Sequence, residues 1–285
     1  MSSVPGKVCV VTGAGSGIGR QLALELARRG AAGLAISDID DERLTATAAL
    51  LAAESPGAVV HTQRLDVADR DAFIAYGEAV HDAFGVVHQV YNNAGIASGR
   101  TVLDAGFDLY DRVMATNLFG VIHGTKVFLP HLIASGAGHV TNISSLNGYM
   151  AQDELSAYCA TKFGVRGFTE ALRLEMLRDR LPVGVTVVHP GGIRTDIANA
   201  GLRHAEQLGY EVTERERRRV QLYNERLLRM PADRAARIIL DGVERNRARV
   251  LVGQDARIVD LIVRALPAGY GRVALALNRL ARLAR

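Results

Sequence analysis

Lysine and cysteine are scarce in this sequence, and it lacks long apolar runs. Only three of its 34 basic residues are lysines (Lys7, Lys126 and Lys162), and the arginines are dispersed among 30 acidic residues. The net charge of +4 comes without an interleaved aromatic pattern, which argues against a nucleic-acid-binding surface.

The two cysteines, Cys9 and Cys159, lie in no metal-spaced cluster, so the sequence predicts no metal site and fits a reducing compartment. The apolar run after Lys7 has four residues, which is too few for a signal peptide, and no later run reaches the length of a membrane span. These absences predict a cytoplasmic protein.

What the sequence does contain is a regular alternation of strand-like and helix-like segments. Such alternation is typical of an α/β protein with a doubly wound parallel sheet, and 285 residues with 48% hydrophobic content suffice for a single domain of this kind. The predicted strands are residues 8–11, 34–38, 58–65, 86–91, 139–144 and 183–188, and the predicted helices include residues 41–53, 70–84, 107–133 and 153–179.

A glycine-rich turn, Gly13-Ala-Gly-Ser-Gly17-Ile-Gly19, joins the first strand to a helix. Because glycines carry no side chain, the backbone of such a turn can approach a pyrophosphate, and the positive end of the helix dipole attracts its charge. A tight turn without a ligand is the alternative interpretation.

Asp38 ends the second strand, nineteen residues after Gly19. At this distance a carboxylate can accept a hydrogen bond from an adenosine ribose hydroxyl and repel a 2′-phosphate, so we expect NAD rather than NADP. Asp38 could instead cap the helix that begins near Asp41. Asp66, after the third strand, likewise could reach the adenine edge or cap the helix over residues 70–84.

Tyr158 and Lys162 are four residues apart, so on a helix their side chains leave the same face. With eight tyrosines and three lysines in the chain, chance predicts roughly 0.08 such spacings. A nearby ammonium lowers the pKa of a phenol from its usual value of about 10, which makes Tyr158 a candidate acid/base. Ser145 ends the fifth strand, where α/β sheets place their chemistry. A surface Tyr–Lys pair is the alternative.

Two asparagine segments complete the pattern. Asn93-Ala94-Gly95 follows the fourth strand and suits a backbone that lies along a flat ring or a ribose, although an ordinary strand-end turn has the same composition. Asn117 falls inside a predicted helix, where a buried amide must bond either structural partners or a chain of water.

Taken in order, these residues resemble the short-chain dehydrogenase/reductase family. The resemblance covers residues 5 to about 196 and, more loosely, 232–252, and it implies a Rossmann fold with a helical lid insertion over the substrate. The C-terminal helical extension goes beyond the usual length of the family and is predicted from its own residues. The matching motifs are Thr12-Gly13-x-x-x-Gly17-x-Gly19, Asn93-Ala94-Gly95, Asn117, Ser145, Tyr158, Lys162 and the segment from Pro190-Gly191 to Thr195.

By this resemblance, Tyr158 is the catalytic acid/base, Ser145 polarises the substrate oxygen, Lys162 lowers the tyrosine pKa and contacts the nicotinamide ribose, and Asn117 holds a water in a proton relay. A homodimer or homotetramer is also implied, because related enzymes pair through the equivalent helices. The residues implied to line the cofactor cleft are Gly13, Ser16, Gly17, Ile18, Gly19, Asp38, Asp66, Val67, Asn93, Ala94, Gly95, Tyr158, Lys162, Pro190, Gly191, Ile193 and Thr195.

We expect residues 1–254 to form the cofactor-binding and catalytic domain, with residues 197–230 as a charged insertion over the substrate and residues 255–285 as an amphipathic extension. In the insertion, residues 214–219 are expected to be a solvated helix face. The extension predicts packing on a neighbouring subunit or the lid, or weak association with an anionic membrane. The candidate pocket residues are His204, Tyr210 and Tyr223, and the apolar stripes are Ile258, Leu261, Ile262, Ala265 and then Val273, Ala276, Leu277, Leu280.

The expected function is an NAD-dependent oxidoreductase that interconverts a secondary alcohol and a ketone, exchanging a hydride with the nicotinamide and a proton with Tyr158. An NADP-dependent reductase of 3-oxoacyl thioesters or other carbonyl compounds is one alternative, against which Asp38 argues. A non-catalytic dinucleotide-binding scaffold or redox sensor is the other, against which the complete set of Ser145, Tyr158 and Lys162 argues.

Overall fold

The chain folds around a parallel β-sheet with helices on both faces. The computed structural model describes residues 2–97, 99–226, 228–272 and 275, and this part contains nine strands. They are β1 (Val8–Thr12), β2 (Gly33–Asp38), β3 (Val59–Arg64), β4 (Gln89–Asn92), β5 (Gly138–Ile143), β6 (Val183–Pro190), β7 (Ile193–Arg194), β8 (Met230–Pro231) and β9 (Arg249–Val252). Seven of them pair in the order β3-β2-β1-β4-β5-β6-β9, all in parallel, and β7 pairs separately with β8.

The helices divide between the two faces of the sheet. Residues of α1, α2 and α9 share one buried apolar cluster, and residues of α3, α5 and α6 share another. This arrangement confirms the predicted doubly wound α/β fold. The described α-helices are α1 (Gly17–Arg28), α2 (Asp41–Glu54), α3 (Arg70–Phe84), α4 (Phe107–Met114), α5 (Gly120–Ala134), α6 (Ser156–Arg178), α7 (Ile197–Gln207), α8 (Glu214–Arg226), α9 (Ala232–Glu244) and α10 (Gln254–Ala265).

Apolar runs of the sequence form strands because both faces of the sheet are covered. In β1, Cys9 and Val11 enter the cluster with α1, whereas Val10 enters the cluster with α3. Successive side chains of a strand point to opposite faces, so a strand buried on both sides has to be apolar throughout.

The strand order reverses beside β1, which lies between β2 and β4. In a doubly wound sheet, a crevice opens at the carboxyl ends of the strands on either side of such a switch point. The glycine turn after β1 and the Asn93 segment after β4 therefore meet at this crevice, and Asp38 ends the strand beside them.

Two helices differ from their predicted bounds. The helix expected from residue 153 begins at Ser156, because Glu154 has φ +62° and Leu155 has φ −124° with ψ 27°, and neither conformation is helical. The helix expected over residues 107–133 consists of α4, a π-helical segment (Ala115–Phe119) and α5. Such π segments often mark functional sites.

The C-terminal extension begins with α10, which buries Ala256 and Asp260 against the domain. Its predicted apolar stripe faces outward, since Ile258 is 57% and Leu261 67% exposed. The second predicted stripe (Val273, Ala276, Leu277 and Leu280) lies outside the described residues. In the described part of the chain, no helix combines the length and the apolarity that a bilayer crossing requires.

Candidate active site

The glycine turn after β1 has no room for side chains. Gly13 and Gly17 have φ of +66° and +52°, a region that favours glycine, and a β-carbon on Gly13 would lie 2.8 Å from the Cα of Ala94. A β-carbon on Gly19 would overlap the carbonyl oxygen of Gly13. Ser16 is the N-cap of α1, and within the described structure its side chain makes no capping hydrogen bond. The first turn of α1 can therefore present backbone N–H groups to an anion.

Asp38 lies at the end of β2, directly against the glycine turn. Its carboxylate accepts hydrogen bonds from the backbone N–H groups of Gly15 (2.8 Å) and Asp40 (3.0 Å). The cap of α2 is Asp40, which accepts from the N–H of Arg43. The capping alternative for Asp38 is therefore wrong.

Two arginines that the sequence argument did not consider lie beside this turn. Arg20 donates to the Gly15 carbonyl and to the Thr47 hydroxyl, and Arg43 forms ion pairs with Asp40 and Asp196. The position of Arg20, directly after Gly19, was the only signal in the sequence. Both guanidinium groups already have protein partners.

Asp66 does not cap α3, because Asp69 occupies that position and accepts from the N–H of Ala72. Asp66 instead accepts from the N–H of Ala68 and forms an ion pair with Arg112 (3.0 Å). The capping interpretation is wrong, and contact with the adenine edge stays a prediction. The neighbouring Val67 is buried.

Asn93 ties the carboxyl ends of β1 and β4 together. Its amide donates to the carbonyls of Thr12 (3.0 Å) and Gly13 (3.1 Å). In return, the Thr12 hydroxyl accepts from the N–H groups of Asn93 and Ala94. These bonds fix the width of the crevice in front of the glycine turn.

Lys162 is buried at the centre of the candidate site. Only 4% of the residue is exposed, and its Nζ donates to the carbonyl of Ile143 (3.0 Å). This Nζ lies 5.6 Å from the ring centroid of Tyr158, one turn away on α6. Burial lowers the pKa of Lys162 to about 8. The surface-pair alternative is therefore wrong.

Ser145 follows β5 and is almost completely buried. Its hydroxyl oxygen accepts from the N–H of Asn147 (3.1 Å), at the start of a 3₁₀ turn (Leu146–Gly148). Since that bond uses a lone pair, the hydroxyl hydrogen can be donated elsewhere. The carbonyl of Ser145 accepts from Nδ1 of His189 (2.8 Å), a residue that the sequence argument did not single out.

Asn117 is fully buried in the π-helical segment. Its amide oxygen accepts from the N–H of Ile96 (2.8 Å), and its nitrogen donates to the Ile96 carbonyl (2.9 Å). The predicted need for partners is met by protein groups. A role in a proton relay stays a prediction.

The segment from Pro190 to Thr195 begins at the end of β6 and reaches the glycine turn after β1. Gly191 donates to the Val252 carbonyl, and the N–H of Gly192 donates to the Asp255 carboxylate (2.6 Å). Ile193 is buried, and the Thr195 methyl group would lie 3.0 Å from a β-carbon on Gly17. Thr195 therefore lies directly over the glycine turn.

Of the three candidate pocket residues, Tyr210 bonds the N-terminal end of α4. Tyr210 donates to Asp108 and accepts from the N–H of Gly106, while the guanidinium of Arg100 lies 4.5 Å from its ring centroid. His204 is half buried, and burial lowers its pKa. The side chain of Tyr223 lies outside the described residues. Most of residues 214–219 are exposed, in agreement with a solvated helix face.

These residues fit a dinucleotide. The glycine turn, which has no room for side chains, lies with the N-terminus of α1 and the Asp38 carboxylate at the carboxyl ends of β1 and β2. Lys162, one turn from Tyr158 on α6, bonds the Ile143 carbonyl at the end of β5, and its Nζ would lie 3.5 Å from a β-carbon on Gly95. Among the described residues, no group of three or more His, Cys, Asp or Glu side chains could hold a metal ion.

Comparisons with known proteins point the same way. The family described as short chain dehydrogenase matches residues 7–206. The chain is 48% identical to a Mycobacterium tuberculosis protein named "Putative oxidoreductase SadH", over 97% of this chain and 96% of that protein. It is 38% identical to the mouse protein named "Epidermal retinol dehydrogenase 2", over 68% and 62% of the respective lengths.

Solved structures agree on the fold. The crystal structure of a short chain dehydrogenase/reductase from Burkholderia phymatum in complex with NAD superposes with a TM-score of 0.86. It is 28% identical in sequence, and the match covers 93% of this chain and 95% of that one.

Proposed function

This chain belongs to the short chain dehydrogenase family, and from that premise we propose that it interconverts a secondary alcohol and a ketone with NAD, with Tyr158 as the acid/base. The family acts on CH–OH groups, so the chain is an oxidoreductase of that class. The proposal that Tyr158 is the acid/base rests on the buried Lys162 ammonium, which lies one helical turn from Tyr158, and on Ser145, which follows the adjoining strand β5.

Each side chain has a task that follows from its chemistry. Tyr158 takes the proton from the alcohol oxygen in oxidation and returns it in reduction. The cation of Lys162 favours the phenolate, and Ser145 donates its hydroxyl hydrogen to the same substrate oxygen. When bound, the nicotinamide supplies or accepts the hydride.

The proposed preference for NAD rests on Asp38. A carboxylate at the end of β2 can accept from a ribose hydroxyl and repels a 2′-phosphate. The arginines nearest to it, Arg20 and Arg43, are already bonded to protein groups rather than held open for a phosphate. The NAD bound in the Burkholderia phymatum structure supports the same preference.

The test of this function is Tyr158→Phe. We expect the substitution to abolish turnover and to leave NADH binding, measured by its fluorescence, within twofold of the wild-type value. The substrate panel includes retinoid, steroid, polyol and acyl alcohols with NAD and NADP, because relatives include proteins named retinol dehydrogenases. Full activity in the variant contradicts the assigned role, and NADH binding without any turnover across the panel favours the scaffold alternative.

We propose two associations of this protein, one with a second copy of the chain and one with lipid. The first is a homo-oligomer through the helices that carry Asn117 and Tyr158, where Phe119 of the π-helical segment and Phe163 of α6 are exposed; light scattering of the purified chain tests it. The second concerns residues 255–285, which we propose to be an extension of a domain formed by residues 1–254. We propose that this extension binds anionic lipid weakly through Ile258, Leu261 and the neighbouring arginines. A liposome flotation assay in which the full-length chain stays unbound contradicts it.

A further inference from the structure

We propose that His189 is a positioning residue for Ser145, holding the catalytic serine from behind through the serine's own carbonyl group. The inference rests on the proposed function, since it concerns how Ser145 is aimed. His189 lies in β6, which pairs with β5, the strand that leads into Ser145. It is fully buried, so it touches neither solvent nor an open surface.

The bond joins strand β6 to the turn after β5, two positions that are 44 residues apart in the sequence. Nδ1 of His189 lies 2.8 Å from the carbonyl oxygen of Ser145. A carbonyl can only accept, so Nδ1 carries the hydrogen. The same oxygen accepts from the N–H of Gly148 (2.9 Å), but that bond lies inside the 3₁₀ turn and moves with it. The His189 bond ties the start of the turn to β6.

Fixing this carbonyl fixes the serine side chain. Ser145 has φ −165° and ψ 170°, and its ψ angle sets both the direction of the carbonyl and the start of the turn whose N–H at Asn147 bonds the serine hydroxyl oxygen. A rotation of that peptide plane would move Asn147 and release the hydroxyl. His189 and Asn147 together therefore hold Ser145 at its backbone and at its oxygen.

A neutral imidazole carries a single N–H hydrogen, and the carbonyl 2.8 Å from Nδ1 places that hydrogen on Nδ1. Burial lowers the pKa of His189 to about 4, so the ring stays neutral near pH 7.

Neighbouring groups leave the ring little freedom. Tyr149 packs edge-on against it, with ring centroids 5.1 Å apart, and the Tyr149 hydroxyl donates to the Ala256 carbonyl in α10 (2.6 Å). A β-carbon on Gly148 would lie 3.3 Å from Cε1 of His189. The extension therefore supports the ring that supports the serine.

The test compares three substitutions of His189. Asn places an amide donor near the Nδ1 position, Leu has nearly the shape of Asn without a donor, and Gln carries its amide out to the Nε2 position. We expect His189→Asn to keep kcat within about threefold of wild type, and His189→Leu and His189→Gln to lose about 10- to 100-fold in kcat. NADH affinity by fluorescence is expected to stay within twofold in all three. Equal kcat for the Asn and Leu variants would overturn the proposal.

A double-mutant cycle with Ser145→Ala separates positioning from general packing. If His189 acts through Ser145, His189→Leu costs no further kcat in the Ser145→Ala background, whereas independent effects would multiply and overturn the proposal. Should the Leu variant fail to fold, judged by its melting temperature, the Asn and Gln pair carries the same comparison. Full turnover in Tyr158→Phe would instead refute the proposed function itself, whatever the His189 variants do.

Discussion

The proposed catalytic floor (residues 142–145, Lys162 and His189) and the proposed lid (α7 and α8) are held by different kinds of interaction. In the floor the bonds are buried: the Ser144 hydroxyl donates to the Lys162 carbonyl, Nζ of Lys162 to the Ile143 carbonyl, and Nδ1 of His189 to the Ser145 carbonyl. In the lid the contacts are mostly exposed ion pairs, and no residue of α7, which is described in full, is buried.

Because of this difference, the position of the reacting groups and the entry of substrate should respond to different perturbations. Buried hydrogen bonds are not screened by salt, and leaving one partner unbonded costs about 1–3 kcal/mol, so the floor has one stable arrangement. An exposed ion pair contributes about 0.2–1 kcal/mol and weakens with salt. If α7 and α8 act as the proposed lid, their displacement should cost little free energy and leave the buried bonds of the floor intact.

After the loss of turnover expected for Tyr158→Phe, the next largest effect should come from Lys162→Met, which removes the buried cation of the floor. We expect kcat/KM to fall at least about 100-fold, the scale of acid/base assistance. The same variant should be more stable than wild type at pH 7 by about 1–3 kcal/mol, because burial lowers the lysine pKa from 10.5 to about 8. Part of that gain is lost because the Ile143 carbonyl loses its donor. Steady-state kinetics and urea unfolding measure the two effects.

The stability difference between Lys162→Met and wild type should depend on pH in a definite direction. Between about pH 8 and 10.5 the unfolded wild-type chain binds more protons at Lys162 than the folded chain does, so wild-type stability rises with pH across that window. The advantage of Lys162→Met should shrink over the same window. Lys126→Met, at an exposed lysine, should change neither activity nor this slope. A constant difference between Lys162→Met and wild type would contradict the burial argument.

Asp38→Asn tests the proposed preference for NAD, at the end of β2. Asn keeps an acceptor for the N–H of Gly15 but removes the charge, so the ratio of kcat/KM with NADP to that with NAD should rise about 10- to 100-fold, as expected for a bond to a charged group. Asp40→Asn is the matched control, since Asp40 caps α2 two residues away and should alter stability without altering the ratio. An unchanged ratio in Asp38→Asn would contradict the proposed role.

The periodicity of the sequence predicted the residues of the floor better than it predicted the residues that hold them in place. The strand ends and the spacing of Tyr158 and Lys162 follow from periodicity, which needs only neighbouring residues. The start of α6 was misplaced because the left-handed conformation of Glu154 leaves no sequence signal at a glutamate.

Long-range partners were out of reach. His189 and Ser145 are 44 residues apart, and Arg100 and Glu211 are 111 apart, so only the assembled sheet shows that they touch. The same holds for Asp38, Asp40, Asp66 and Asp69, where which carboxylate caps a helix depends on backbone geometry within one or two residues.

Arg100→Met should weaken the lid without touching the floor. The guanidinium of Arg100 donates to the Glu211 carbonyl (2.7 Å), lies 3.7 Å from the carboxylate of Glu216 and covers the ring of Tyr210. We expect the KM for the alcohol to rise about three- to tenfold, while kcat stays within twofold. Arg178→Met, at an exposed ion pair at the opposite end of α6 from Tyr158, should change neither constant. A matching fall in kcat would show that the lid also positions the reacting groups.

The smallest effect should come from salt alone. Raising ionic strength from about 0.1 to 1 M shortens the Debye length from about 10 to 3 Å, which weakens exposed pairs such as Arg203–Asp196 and Arg217–Glu206 and leaves the buried bonds of the floor intact. For an uncharged alcohol at saturating NAD, the KM should rise about twofold and kcat should stay constant. Arg100→Met, whose lid is already loosened, should respond less. If kcat fell in step with the rise in KM, the floor would share the salt sensitivity of the lid. That result would contradict the claim that buried bonds hold the floor independently of the exposed ion pairs of the lid.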